Sequence, residues 1–292
     1  MPARPAAHGV RSAVAGLARE PRFEVIPLPG TEDAVAEHVP PQATVTVTAS
    51  PRRGLADTLD LTTRLALRGF HTVPHLAARM VADETDLAAI LRDLTAAGVR
   101  EVFVVAGDRE EPAGDFTGAL DLLQAMERIG HEFTVGIAGY PESHPEIPDN
   151  VTVRAMADKQ FYASYIVSQM CFDSRVILNW VRRVRRRGVQ LPIRVGVAGP
   201  VSTARLLRIG TRLGIGPSLR VLSHHRGGLR HLALPGAWRP EKLLQGLAPA
   251  FADPAYGLDG LHVYTFNAVA DTVRWWQGLG SEQAPSTTEM TR

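Results

Sequence analysis

The feature that most constrains the fold is a regular alternation of short apolar segments with segments of helical spacing. Eight segments have the β-branched or apolar character of buried strands, at residues 22–28, 44–50, 71–77, 101–107, 133–140, 164–170, 192–200 and 261–267. Intervening segments such as "DETDLAAILRDLTAAG" begin with acidic residues, space their apolar residues as a helix does and end at glycine. Such alternation pairs strands in parallel through right-handed crossovers. Eight units predict an α/β fold, a closed (β/α)8 TIM barrel, rather than an open doubly wound sheet.

The spacing of the predicted strands also indicates how the chain is divided. One long gap precedes the last strand, and "EKLLQGLAPAF" within it has helical spacing, which predicts a helical insertion. No motif in the part of the gap from 215 to 258 defines its role. Residues 1–20, which contain no acid before Glu20, are predicted to be a disordered leader, with a transit peptide as the alternative. We predict one catalytic domain over 21–280 and a disordered polar tail over 281–292.

Composition narrows the possible partners and location. A net charge of +2 gives no general attraction to nucleic acid, and 45% hydrophobic residues are enough for a large core. The single cysteine, Cys171, cannot form an internal disulfide, which fits a reducing cytoplasm. No apolar run approaches the roughly 20 residues of a membrane span. The composition therefore predicts a cytoplasmic protein without membrane or nucleic-acid partners, and it leaves the oligomeric state open.

Two basic or histidine-rich features suggest other functions. The run from Arg182 to Arg187 is the most basic stretch of the chain, and a non-catalytic nucleic-acid-binding protein would use it. Apolar residues at helical spacing in the same segment favour a helix whose arginines form a solvated outer face. The histidines at 224, 225 and 231 have no carboxylate or thiol at ligand spacing. We therefore predict no metal site.

Polar residues gather where the predicted strands end, which is where a (β/α)8 barrel carries its chemistry. These residues are Thr48, Ser50, His75, Asp108, Tyr140, His144, Gln169, Asp173, Tyr264 and Asn267. Glu24 differs from them because it lies within the first predicted strand, between Phe23 and Val25. Burying a carboxylate costs free energy unless it is paired or protonated. We expect Glu24 to have a raised pKa, which suits a general acid near neutral pH.

The loop "GYPESHPE" at 139–146 combines an aromatic ring, an imidazole and carboxylates with unusual stiffness. Proline follows both Tyr140 and His144, which fixes φ at the proline and keeps the preceding residue out of the helical region. A loop with so few conformations is predicted to form part of a binding surface.

Several of these segments together resemble the methylenetetrahydrofolate reductase family. The segments "RFEVIPLPG", "VVAGDREEP", "VGIAGYPESHPE", "YIVSQMCFD" and "LHVYTFN" occur in the family's order, and the resemblance covers 22–275. It implies a (β/α)8 barrel that reduces 5,10-methylenetetrahydrofolate to 5-methyltetrahydrofolate with NADH or NADPH through an iminium intermediate. The implied catalytic residues are Glu24 as proton donor and Asp108 as the carboxylate that stabilises the cation. The implied substrate-binding residues are Gln169 and Tyr264, and the implied cofactor-binding residues are Thr48, His75, Gly107, Tyr140 and His144.

The sequence also departs from the family pattern where FAD, the usual cofactor, is held. Ala106 replaces the arginine of the family's "LRGD" turn, and "VTVTASPRR" replaces a "VTYGAGG"-like segment. The helix before the sixth strand has lost most of its basic residues, leaving Lys159. These departures predict that FAD is weakly held or absent, so that NAD(P)H lies directly against the folate. The alternative reaction is transfer of a methyl group by a folate-binding barrel without nicotinamide oxidation.

Overall fold

The computed structural model describes residues 20, 22–49, 53–142, 149–202, 237–238 and 240–281. Several predictions fall outside these residues. They concern Ser50, His144, the histidines at 224, 225 and 231, the first part of the insertion, the leader up to residue 19 and the tail from 282 onward.

Eight parallel strands form a closed barrel, which confirms the predicted fold class. The barrel strands are β1 (Arg22–Val25), β2 (Thr44–Val47), β3 (His71–Ala77), β4 (Glu101–Val105), β5 (Thr134–Gly139), β6 (Tyr165–Ser168), β7 (Ile193–Ala198) and β10 (Leu258–Tyr264). They neighbour one another in the order β1, β10, β7, β6, β5, β4, β3, β2, so the first and last strands along the chain are adjacent. Two further strands, β8 (Val201–Ser202) and β9 (Ala237–Trp238), form a separate antiparallel pair.

Helices follow the strands as the alternation predicts. They are α1 (Thr31–His38), α2 (Gly54–Leu67), α3 (Glu84–Ala96), α4 (Ala119–Ile129), α5 (Asp149–Lys159), α6 (Ser174–Arg186), α7 (Glu241–Phe251) and α8 (Val269–Ser281). Helix α7 confirms the helical character of "EKLLQGLAPAF", in the gap before the last barrel strand. In the described part of the chain, no helix is both long and apolar enough to cross a membrane.

The main core lies between the barrel and its helices. Outward side chains such as Phe23 pack there, and the Phe23 ring meets Trp276 of α8 edge to face at 5.8 Å. Helix α6 buries Ile177, Trp180 and Val181 against the barrel. Full burial of one large apolar side chain contributes about 1.5–3 kcal/mol, so this layer provides most of the force that keeps the helices on the barrel.

Two arginines of the basic helix α6 have structural partners. The Arg185 guanidinium donates hydrogen bonds to the backbone carbonyls of Tyr256, Val189, Leu191 and Gly257. Arg182 donates to Tyr256 Oη at 2.5 Å and stacks over that ring. These two charges anchor the segment that leads into β10, which weakens the alternative of a nucleic-acid surface on this helix.

The amino-terminal end of the barrel interior is closed by a network of charged and aromatic side chains. Arg22 and Glu101 form a buried two-fold salt bridge, with N–O distances of 2.5 and 3.0 Å. The Tyr165 ring lies between two guanidinium groups, those of Arg22 and Arg194, each 5.3 Å from its centroid. We call these four residues the barrel plug. Above the plug, Val73, Phe103 and Val167 form a small apolar layer inside the barrel.

Gly136 makes room for the ring of the plug. A Cβ atom at Gly136 would lie 2.3 Å from Tyr165 Cζ, and the flanking arginines limit how far that ring can move. We therefore expect Gly136→Ala to destabilise the protein by about 1–3 kcal/mol, the usual cost of overpacking. Gly278→Ala, at an exposed helical position with open space around it, is the control and should be neutral or stabilising. Urea unfolding of both variants tests this, and equal midpoints would contradict it.

Candidate functional site

Three ionisable side chains from three strands meet at Glu24, inside the barrel and above the apolar layer. Glu24 Oε2 lies 2.8 Å from His262 Nε2 on β10 and 3.5 Å from His75 Nε2 on β3. The Glu24 side chain is 14% exposed, His75 12% and His262 2%. Both imidazoles face the same carboxylate oxygen, and we call the three residues the Glu24 cluster.

The cluster corrects the expectation that Glu24 has a raised pKa. Burial alone raises the pKa of this carboxyl, as the sequence suggested, but His262 and His75 more than offset that effect and lower it to about 2. Glu24 is therefore ionised near neutral pH. The raised pKa was a wrong prediction, because the two imidazoles come from strands distant in sequence that only the closed barrel brings to β1.

The hydrogen bond between His262 and Glu24 requires one particular tautomer of the imidazole. A carboxylate can only accept, so Nε2 carries the proton that faces Glu24. Burial lowers the pKa of His262 and outweighs the opposite effect of Glu24. The other ring nitrogen, Nδ1, is buried and has no hydrogen-bond partner. A second proton there would have no acceptor, so His262 is a neutral donor that fixes the position of the carboxylate.

The turn after β10 attaches that strand to the end of β1. Asn267 Oδ1 accepts from Ile26 N at 2.8 Å, and Asn267 Nδ2 donates to Ile26 O at 2.9 Å. Thr265 Oγ1 donates to Glu24 O at 2.6 Å. Phe266 and Asn267 are both left-handed, with φ of 50° and 58°, a conformation that costs free energy for residues other than glycine. The side-chain bonds of Asn267 offset this cost, and with the Thr265 bond they fix the backbone from Glu24 to Ile26.

Tyr264 brings a phenol next to the Glu24 cluster. Its hydroxyl donates to Ser168 O at 3.1 Å, and burial together with the Glu24 charge raises its pKa. The ring occupies space that a side chain at 196 would need, since a Cβ at Gly196 would lie 2.8 Å from Tyr264 Cε2. The structure therefore brings Tyr264, predicted to bind substrate, into the same site as Glu24.

Asp108 lies on the loop after β4, at the mouth of the barrel. Gly107 precedes it with φ of +87°, and a Cβ there would lie 2.9 Å from Ala77 Cβ, so the close approach of this loop to the end of β3 requires glycine. Arg79 holds the loop through hydrogen bonds to the carbonyls of Arg109, Glu110 and Thr117. Burial, together with the charge of Asp108, raises the pKa of the Tyr140 phenol.

The remaining predicted residues lie around the same opening. Gln169 follows β6, and its amide oxygen accepts from Met170 N at 2.8 Å, which leaves the amide nitrogen as its main contact for a ligand. Thr48 follows β2, where its backbone is held by Val25 and Thr58. Tyr140 is the first residue after β5 and is partly buried. His144 lies outside the described residues.

Sequence reasoning missed His262 and Arg79. A signal for His262 was present, because residues two apart on a strand share a face, so His262 points to the same side as Tyr264. Arg79 gave no comparable signal, since its partners are backbone carbonyls on another loop. Among the described residues, no group of three histidine, cysteine, aspartate or glutamate side chains has an arrangement that could hold a metal.

The closed parallel barrel places this protein in the TIM-barrel class. Its ionisable side chains lie at the carboxyl ends of the strands, which is where TIM-barrel enzymes have their active sites. Comparison with known proteins identifies the family. The family model for methylenetetrahydrofolate reductase matches residues 33–215, which is more than half of the chain. The chain therefore belongs to the methylenetetrahydrofolate reductase family, as its motifs indicated.

Individual relatives agree with this assignment at modest identity. Methylenetetrahydrofolate reductase 2 of Saccharomyces cerevisiae is 32% identical over 123 residues, which cover 38% of this chain and 20% of the yeast protein. Methylenetetrahydrofolate reductase (NADH) 1 of Arabidopsis thaliana is 24% identical over 270 residues, which cover 76% of this chain and 41% of the Arabidopsis protein. The 5,10-methylenetetrahydrofolate reductase of Pectobacterium carotovorum is 28% identical over 146 residues, which cover 48% of this chain and 47% of the Pectobacterium protein. The matches thus span less than half of each of these relatives.

Proposed function

We propose that this protein reduces 5,10-methylenetetrahydrofolate to 5-methyltetrahydrofolate, with NADH or NADPH as the electron donor. The observation that carries the proposal is the Glu24 cluster, a held carboxylate in contact with two imidazoles at the mouth of a barrel of this family. Relatives named as NADH-dependent and as NADPH-dependent enzymes support a nicotinamide donor of either kind.

The chemistry of the substrate explains why such a cluster is useful. The methylene carbon bridges N5 and N10 in a five-membered ring, and it accepts a hydride well only after one C–N bond opens to an iminium cation. Since the product carries its methyl group on N5, the bond to N10 must break and N10 must gain a proton. The reduced nicotinamide supplies the hydride that completes the reduction. The protein therefore has to deliver one proton and stabilise one positive charge.

The described residues can be assigned to these tasks. Glu24 delivers the proton to N10 and is held in place by His262 on one side and by the Asn267 turn on the other. Asp108, at the barrel mouth beside Tyr140, provides the carboxylate that stabilises the iminium cation. Gln169 contacts the pterin through its amide nitrogen, and Tyr264 lines the same pocket.

The described residues fit FAD poorly. Its pyrophosphate needs arginines, lysines or helix amino termini. Three arginines at the mouth are already engaged: Arg53 with Asp57 at 3.0 Å, Arg175 with Asp173 at 3.0 Å, and Arg79 with loop carbonyls. Ala106 provides no charge at the turn before Asp108. We therefore propose that hydride passes from NAD(P)H to the folate directly. A flavin band in the visible spectrum of the purified protein would contradict this point.

The activity itself is tested by following oxidation of NADH or NADPH with 5,10-methylenetetrahydrofolate. We expect oxidation that depends on the folate, with 5-methyltetrahydrofolate formed in equal amount. Folate binding with methyl transfer to an added acceptor, and no oxidation of either nicotinamide, would instead establish the alternative reaction. Absence of both reactions in folded protein would contradict the proposal.

A further inference from the structure

The Glu24 cluster contains one more ionisable group than holding a carboxylate requires. His262 alone satisfies Glu24 Oε2 at 2.8 Å, and its complete burial suits a fixed donor. His75 faces the same oxygen from β3, two strands away from β1, at the longer distance of 3.5 Å and with 12% of its side chain exposed. Its Nε2 atom is buried and makes no hydrogen bond of good geometry. The two imidazoles therefore differ in how tightly they are held and in their access to solvent.

This difference bears on how an ionised carboxylate acquires the proton that it must deliver. His262 cannot supply it readily, because loss of its Nε2 proton would leave a fully buried imidazole with no protonated nitrogen. His75 Nε2 lies 3.5 Å from Glu24 Oε2, so a small movement of either side chain would bring the two atoms into hydrogen-bond contact. The Phe103 ring, 4.8 Å from the His75 ring, is the apolar side of its environment. The other titratable or charged groups that act on the cluster are Tyr264, Tyr140 beyond it, and Arg22, whose charge contributes to lowering the pKa of His262.

We propose that His75 loads Glu24 with the proton used in ring opening, while His262 only positions the carboxylate. The inference rests on the proposed reduction of methylenetetrahydrofolate. In the first step the Nε2–H bond of protonated His75 breaks and an O–H bond forms on Glu24. In the second step that O–H bond breaks, N10 gains the proton, and the electron pair of the breaking C–N bond remains on N10. Solvent then reprotonates His75, so one proton is consumed in each turnover. His75 acts through Glu24 and need not touch the folate.

Matched glutamine substitutions separate the two tasks, because an amide N–H can hold a carboxylate but cannot carry a proton to it. His75→Gln should lower turnover by a factor on the order of 10² to 10⁴, the contribution of a positioned proton donor. His262→Gln should lower turnover to a smaller extent, because the carboxylate is held less well, and His38→Gln on α1, outside the site, is the control that should keep wild-type turnover.

Chemical rescue provides a second readout that a purely structural role would not give. Imidazole added to His75→Ala should restore part of the lost turnover, in proportion to the concentration of protonated imidazole. His75→Gln with the turnover of wild type would overturn the relay, and so would failure of imidazole to raise the turnover of folded His75→Ala. Wild-type protein that does not reduce methylenetetrahydrofolate would contradict both the proposed function and the relay. If the wild-type protein is active and His75→Gln has no effect on turnover, the relay is contradicted while the proposed function stands.

Discussion

Glu24→Gln is expected to lower turnover by a factor on the order of 10² to 10⁴, the contribution of a positioned general acid. The amide cannot carry a proton, but its oxygen can still accept the hydrogen bond from His262 Nε2, so the local structure should persist. Folate affinity should therefore change little. The measurements are steady-state oxidation of NADH or NADPH and, on the same preparation, the dissociation constant for 5-methyltetrahydrofolate.

Glu37→Gln is the matched control for this substitution. It makes the same chemical change on α1, at a side chain that is 74% exposed, and should leave both quantities at their wild-type values. Equal loss of folate binding and turnover in Glu24→Gln would show that Glu24 binds the substrate rather than delivering a proton. Unchanged turnover would remove Glu24 from the mechanism.

Glu101→Gln is expected to reduce the free energy of unfolding by about 3–5 kcal/mol, because it leaves the buried charge of Arg22 without its partner. Burial raises the pKa of Glu101, but Arg22 more than offsets this and lowers it below its ordinary value of 4.5. A lowered carboxyl pKa means that the pair stabilises the protein fully above about pH 4.5 and loses this contribution as pH falls further. Guanidinium unfolding at neutral and acidic pH measures both effects.

Two controls make the result interpretable. Glu84→Gln removes the partner of Arg128 in an exposed ion pair and should cost about 1 kcal/mol or less. The double change Arg22→Met with Glu101→Leu removes both buried charges and should recover much of the loss, since apolar replacement of a buried pair is often neutral. A cost below about 1 kcal/mol for Glu101→Gln would show that the barrel plug contributes little to stability.

The sequence was sufficient for the fold because strand and helix signals are local. All eight predicted strands appear, although most are shorter than predicted because their last residues enter loops. At the end of β10, for example, the residues after Tyr264 leave the ladder so that Asn267 can bond to Ile26. The positions of the predicted site residues at strand ends followed from the same alternation, since a parallel barrel gathers the carboxyl ends of its strands.

The sequence was insufficient wherever a property depends on partners distant along the chain. Glu24 and His262 are 238 residues apart, and their contact reverses the direction of the pKa shift predicted for Glu24 from its apolar neighbours. Arg22 and Glu101, 79 residues apart, both lie in predicted strands, and nothing local indicated that they pair inside the barrel. Electrostatics in a barrel interior is set by the closed sheet, which local patterns do not describe.

The contact between β1 and β10 also has a consequence for the order in which function can appear as the chain folds. Glu24 comes from the first barrel strand, and His262 and the Asn267 turn come from the last one, so neither partner exists for the other until the sheet has closed. Contacts of such long sequence separation form late because the intervening chain must be ordered first. Partly folded barrels, including nascent chains still lacking β10, therefore cannot hold Glu24 in its working position. Recovery of turnover during refolding should consequently follow barrel closure rather than the earlier formation of helices.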